Sequence, residues 1–268
     1  MFVNRCGTIC WLNSIVQLLL ITIDEDINSP LKEIFKNFKI GMKYHSTQTI
    51  RSYLSNYMPE LKNGQQDSFD FFVALNRASE TDKESILNPI SIFTKNVITC
   101  QNDPTHFSTS YPPEPEFYVS IDVPKDNEPI QDVIERELQE GTIINDWRCS
   151  VCRYQGGLKR KLILEGLMPR FLLITVRRTE RDIHGRAFKV NNVIPPPLGF
   201  TIGTEQNNVY AYSLCGVITH IGQNLNSGHY ISEVRIDQQW WKCNDATITK
   251  TSFQELSREG YGFLFERM

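Results

Sequence analysis

Apolar side chains at Trp11, Leu12, Ile15, Val16, Leu18 and Leu19 recur at helical spacing, with Asn13, Ser14 and Gln17 between them. That spacing predicts a helix over 11–20 with a broad buried face. Further helices are expected near Leu31 to Phe38 and Thr49 to Tyr57. Another is expected after a turn at Asn63-Gly64, where Phe69, Phe72, Val73 and Asn76 repeat at the same period. From residue 91 the texture changes to short β-rich runs: SIFTKNVITC, PEFYVSIDV, LKRKLILEG, FLLITVRR, YSLCGVITHIG, GHYISEVRI and WWKCND. One helix, about Pro129 to Gln139, interrupts them, and the proline clusters at Tyr111 to Pro115 and Pro195 to Pro197 read as loops. Helices first and then a mostly antiparallel sheet predict an α+β architecture of two lobes with a cleft between them.

Composition narrows the function. With 268 residues, 40% of them hydrophobic, the chain can bury a full core without disulfide staples. A net charge of −3 argues against a nucleic-acid or membrane-surface binder, so the expected partner is a protein or a small molecule. Seven cysteines, an odd number, point away from a disulfide framework and toward a reduced, intracellular compartment, cytoplasmic or nuclear. The apolar stretch from Trp11 to Ile23 is too short and too interrupted to span a membrane. It also runs into Asp24-Glu25-Asp26 without a cleavage site, so it is not read as a secretion signal.

Cys10 stands directly ahead of the first helix, where unpaired backbone N–H groups and the positive end of the helix dipole favour a thiolate. A lone cysteine there is more often a small buried residue, and it needs a base to act as a nucleophile. His229 follows the glycine-containing loop Gly222 to Gly228. Asn244 and Asp245 follow the next strand, after a hairpin turn near Asp237. Adjacent antiparallel strands would bring an Asn or Asp side chain to the distal imidazole nitrogen, fixing its tautomer. A cysteine, a histidine and an amide or carboxylate, remote in sequence, are the parts of a papain-like cysteine protease.

Five blocks carry a resemblance to a known family. Gly7-Thr8-Ile9-Cys10-Trp11-Leu12-Asn13-Ser14 resembles the cysteine block of the ubiquitin-specific proteases. The run from Gly228 to Glu233, together with Trp241 to Asp245, resembles their histidine block, and Val217 to Gly222 resembles the strand and loop before it. Gln65 to Phe72 resembles an acidic helix of the family, and Leu167 to Arg178 a strand of its palm. The resemblance covers nearly the whole chain. It implies a single catalytic domain over 1–268, with a helical thumb over about 1–90 and a β-rich palm and β fingers over about 91–268. It further implies a compact form, with insertions trimmed and nothing ahead of the cysteine block. In this reading Cys10 attacks the carbonyl at the C-terminal glycine of ubiquitin, His229 moves the proton and Asn244 orients the ring. Asp245 can substitute for Asn244 or hold the oxyanion region. Asp67 and Asp70, with Gln66 beside them, would meet the arginines of the ubiquitin tail through directional charge-assisted bonds. From the residues alone, the two carboxylates read as a solvated helix face.

The chain departs from the family pattern in two places. The family's oxyanion asparagine lies five residues before the cysteine, where this chain has Arg5, and Asn4 is one residue further upstream. Either the loop bulges by one residue or another donor serves. Losing such a donor costs about 10²- to 10³-fold in rate, which leaves a weak or inactive ubiquitin-binding pseudoenzyme, or a protease for a ubiquitin-like modifier, as alternatives. The family also often holds zinc between two C-x-x-C pairs. Here Cys149 and Cys152 keep one pair, Cys100 remains of the other, and Asp103 stands where the fourth cysteine is expected. A Cys₃His structural zinc site would need His106. Catalysis itself calls for no cofactor. Expected partners are ubiquitin or ubiquitinated proteins, with no nucleic acid and no membrane.

Overall fold

The computed structural model describes residues 2–4, 7–22, 47–78, 87–109, 114–125, 128–137, 141–163, 168–204, 206–224 and 227–268. The helix expected near Leu31 to Phe38 lies outside them, as do Arg5, Cys6 and His45.

Helix α1 (Cys10–Leu19) is buried along all ten residues. Its apolar side chains belong to one core with palm side chains such as Cys215, Ile218, Tyr230, Val234 and Leu264. Its polar side chains do not break that burial, because Cys10, Asn13, Ser14 and Gln17 fall three to four residues apart and form one stripe. Two short helices, α2 (Gln48–Leu54) and α3 (Asp70–Asn76), complete the described part of the thumb. The first ends at Leu54, short of the expected Tyr57. The 3₁₀ segment Pro59–Lys62 lies between them.

The fingers are a five-stranded antiparallel sheet in the order β2 (Phe107–Thr109), β1 (Ile92–Cys100), β6 (Gln155–Ile163), β5 (Thr142–Arg148). In it β3 (Glu114–Glu116) pairs with the start of β1. Pro115, expected in a loop, lies opposite Phe93 in this edge pairing. A proline is tolerated there because an edge strand can spare a donor.

The palm is an eight-stranded sheet. Strands β11 (Val209–Ile221), β12 (His229–Ile236), β13 (Gln239–Asn244) and β14 (Thr247–Thr251) form successive antiparallel hairpins. On the other side of β11 come β15 (Gly260–Arg267), β7 (Phe171–Arg177) and β4 (Val119–Asp122), and β10 (Gly199–Gly203) pairs with the first half of β11. Among the described strand pairs only β4–β7 is parallel, and an isolated bridge between Ile194 and Glu259 is parallel too. Helix α4 (Ile130–Glu135) packs on the second core with Val119, Ile121 and Phe200. The ribbon β8 (Thr179–Arg181) and β9 (Ala187–Lys189) completes the described strands. The fold is α+β and papain-like, with α1 between the thumb and the palm sheet. Among the described residues no helix is long and apolar enough to cross a membrane.

Candidate active site

The turn between β12 and β13 places Asp237 and Gln238 at φ 48° and 64°, a left-handed pair that suits a two-residue hairpin. That hairpin sets Ser232 opposite Cys243 and brings the ends of the two strands together. The His229 ring nitrogen Nε2 consequently lies 2.7 Å from Asn244 Oδ1. The Cys10 side chain, on the first residue of α1, is hydrogen-bonded to the same imidazole. That bond foremost, then the bond to Asn244 and the nearby charges of Cys10 and Asp245, outweigh burial and push His229 up to about 9 from its ordinary 6.5. At neutral pH His229 is therefore an imidazolium, with the Cys10 side chain and the Asn244 amide oxygen as its partners.

Behind this pair, Asp245 gathers contacts from three parts of the chain. Its backbone is left-handed, φ 46°. Its Oδ2 accepts from Asn4 Nδ2 at 3.0 Å and lies 4.0 Å from His229 Nε2, while Oδ1 accepts from Asn13 Nδ2 at 2.7 Å. Its carbonyl accepts from Gln17 Nε2 and from the backbone N–H of Phe2. Asn4 Oδ1 in turn accepts from the Ile9 N–H at 3.2 Å, beside the nucleophile. Asn4, one position out of register in sequence, is thus folded onto the loop that carries Cys10. Arg51, 3% exposed, ties that loop to the thumb: its guanidinium donates to Thr8 Oγ1, to the Leu61 carbonyl and to the Gly64 carbonyl. Nothing in the residue pattern singled out Arg51, Asn13 or Gln17, since a buried arginine answered only by neutral acceptors has no sequence signature.

The acidic segment lies across the cleft. Asp67 accepts from the Tyr261 hydroxyl and from the Phe69 N–H, and Asp70 Oδ2 accepts from the Asp67 N–H. Burial, foremost, raises both carboxyls above their ordinary range, and the charge of Asp67 adds to the effect on Asp70. Tyr118 and Tyr261 pack around Phe69 in the same corner. These are half-buried carboxylates without a described cation beside them, unlike the solvated helix face that residue chemistry alone favoured. Gln66 turns its amide back onto the Glu60 and Asn63 carbonyls and braces its own loop. Gln65, its neighbour, reaches across to the Gly228 carbonyl at 2.8 Å, next to His229. His220 packs under Tyr230 with ring centroids 4.5 Å apart, and burial, with Lys189 and His229 nearby, lowers it to about 4, so it is neutral. A methyl on Gly228 would overlap His220 Nε2, which explains a glycine at that position. His184 is exposed, and Cys215 and Cys243 are buried among apolar side chains.

At the tip of the fingers Cys100, His106, Cys149 and Cys152 converge, with their ligand atoms all within 4.8 Å of one another. The Cys100 and Cys152 sulfurs are 3.6 Å apart, close to the ~3.8 Å edge of a tetrahedron with ~2.3 Å zinc–sulfur bonds. His106 Nδ1 is buried without a hydrogen-bond partner. Its Nε2 lies 3.5 Å from Asp103 Oδ2, the outer contact that turns a histidine's other nitrogen toward a metal. Asp103 therefore does not replace a cysteine ligand: it caps the turn at Thr105 and orients the histidine. Burial of the Cys149 thiol is outweighed by backbone N–H bonds from Cys152 and Val151 and by the neighbouring thiols, which bring it down to about 7. The donor set fits a tetrahedral cation.

The fold is papain-like, and it brings Cys10, His229 and Asn244 together. A family model for ubiquitin carboxyl-terminal hydrolase matches residues 3–265, and the chain belongs to that family. It is 25% identical over 194 residues to ubiquitin hydrolase B of Dictyostelium discoideum, a match covering 70% of this chain and 42% of that protein. It is 46% identical over 63 residues to ubiquitin carboxyl-terminal hydrolase 27 of Homo sapiens, covering 23% of this chain and 14% of that one. The matches span less than half the length of these relatives. In structure the chain resembles the SAGA Ubp8/Sgf11/Sus1/Sgf73 DUB module bound to ubiquitin aldehyde, with a TM-score of 0.75 at 19% identity, over 99% of this chain and 69% of that one.

Proposed function

We propose that this chain is a deubiquitinating cysteine protease acting as a single catalytic unit. The observation that carries the reading is the Cys10–His229–Asn244 constellation, with a 2.7 Å bond from the imidazole to Asn244 and the Cys10 side chain bonded to the same ring. Cys10 Sγ, its proton held by His229, attacks the carbonyl carbon of the ubiquitin C-terminal glycine, and His229 delivers that proton to the departing lysine amine. The resulting thioester is cleaved by water, whose proton His229 accepts, releasing the ubiquitin carboxylate and restoring the thiol. Asn244 fixes the ring, and Asp245 supports the imidazolium and holds Asn4 beside the nucleophile. Asn4 and the Cys10 N–H stabilise the oxyanion.

Asp67 and Asp70 receive basic side chains of the substrate tail on the loop that Gln66 braces. Two half-buried carboxylates lacking a described cation support that role, because a guanidinium would restore the stabilisation that burial removes. At the fingers tip Cys100, His106, Cys149 and Cys152 would hold a structural zinc, which supplies folding energy and no chemistry to the reaction. The six described cysteines are all free thiols, which supports an intracellular site of action, cytoplasmic or nuclear.

The test is reaction with ubiquitin carrying a C-terminal electrophile. The wild-type chain is expected to form an adduct, and Cys10→Ala to form none and hydrolyse nothing while still binding ubiquitin. Hydrolysis retained by Cys10→Ala would sink the assignment. An intact wild-type chain that binds ubiquitin without an adduct would make it a pseudoenzyme, and preference for a modifier other than ubiquitin in competition would reassign its substrate.

A further inference from the structure

We propose that Thr47 and Asn13 are positioning residues: together they orient the Asp245 carboxylate and, through it, Asn4 and His229. The inference rests on the thiol-protease reading above. Thr47 is the residue that caps α2, yet its side chain makes no capping bond to that helix, although capping is what a threonine there ordinarily does. The fully buried hydroxyl donates instead to Asn13 Oδ1 at 2.5 Å.

That diversion has a consequence for an amide. Asn13 can present either its oxygen or its NH₂ in a given direction, and only the NH₂ is attractive to a carboxylate. Because Thr47 is the donor, it claims the oxygen and turns Nδ2 toward Asp245 Oδ1, 2.7 Å away. Asn13 is itself 1% exposed, so no solvent competes for either end. The far side of Asp245 is set by the same helix: Gln17, one turn on, holds its carbonyl and is held in turn by the Ser232 hydroxyl at 3.2 Å. A residue in the left-handed region needs such support, since its backbone is not self-stabilising. With Oδ1 fixed by Asn13, Oδ2 is left facing Asn4 at 3.0 Å and His229 at 4.0 Å. The charged and titratable groups around His229 are Cys10 from α1, Asp245 from the β13–β14 turn and neutral His220 from β11. Asp245 is the negative charge whose placement depends on this chain.

Thr47→Val keeps the branched shape and removes the donor. We expect kcat on a ubiquitin C-terminal fluorogenic substrate to fall ~5- to 10-fold, the worth of about one buried hydrogen bond, with KM within ~2-fold. Asp245 raises the His229 pKa, so its disorientation lowers it, and the alkaline limb of the rate profile moves to lower pH. The same shift is expected in a His229 ring titration followed by NMR, which needs no turnover. Thr47→Ser should restore both, Asn13→Ala should act in the same direction as Thr47→Val, and adding Thr47→Val to Asp245→Asn should change little. The inference is overturned if Thr47→Val and Asn13→Ala leave kcat and the His229 titration as in wild type, if Thr47→Ser fails to rescue, or if the Thr47 and Asp245 effects add. A wild-type chain that forms no ubiquitin adduct sinks the protease reading instead, and the NMR titration still decides the role of Thr47.

Discussion

Asp67 and Asp70 are the residues at which stability and recognition pull apart. Both carboxyls have folded-state values above the ordinary 3.8. The folded protein thus binds these protons more tightly than the unfolded chain, and stability falls as pH rises from about the ordinary value through the raised ones. The cost grows as the carboxyls ionise. Asp70→Asn removes one of the two charges and keeps an oxygen for the Asp67 N–H. It should raise Tm by roughly 2–4 °C while raising KM at least ~10-fold, as expected for losing a charge-assisted bond to substrate. Thermal melts and Michaelis curves on one preparation check this, and a lowered Tm with unchanged KM would contradict it. Both aspartates are plain in the sequence. Their poise is not, because it comes from Tyr261, almost 200 residues away in the chain, and from the aromatic corner around Phe69.

Among the elements, the fingers strands β2 and β5 bury few of their described side chains, and a cation held by the Cys–His cluster would stand in for a core. Cys149 and Cys152 occupy the β5–β6 turn, Cys100 ends β1, and His106 precedes β2, so one cation would clamp the β1–β2 and β5–β6 turns together. We expect one zinc per chain by metal analysis. His106→Ala should weaken zinc retention against a chelator and lower the thermal midpoint, with turnover at 25 °C largely kept because the catalytic strands lie in the other sheet. Zinc content unaffected by His106→Ala would exclude the histidine as a ligand. The long strands were readable from β-branched and aromatic alternation, as FLLITVRR and GHYISEVRI illustrate. β15, GYGFLFER, was not recognised although it is the palm strand between β11 and β7. Its two glycines weaken a local strand signal, and its identity comes from what it pairs with. The short ribbons β8 and β9, all but Lys189 exposed, carry almost no pattern at all.

Across the whole molecule the two lobes share one core through α1. Leu18 lies against Gly216 of β11, where any side chain on the glycine would collide with it. The close approach lets the helix sink onto the sheet with Cys10 at its N-terminal end beside His229. Leu18→Ala would open a cavity at that junction and is expected to destabilise the protein by about 2–5 kcal/mol. Denaturant unfolding measures this, and a loss below about 1 kcal/mol would mean that the lobes do not rely on α1.

The thiol, the imidazole, the amide and the order of helices before strands were legible in the chain, because each rests on local chemistry or on periodicity. Asn4 shows what was not. Its distance from Cys10 along the sequence is one residue longer than the family pattern, and only the fold shows that Asn4 lies between Asp245 and the Ile9 N–H. The polar positions in α1 are a second case: along the chain they interrupt a greasy run, and in space they are the stripe that grips Asp245. The arrangement behind the nucleophile, the raised carboxyls and the capture of His106 by the cysteines all depend on contacts between residues far apart in the chain. Periodicity reports which face of an element is buried, but not which partner that face will meet.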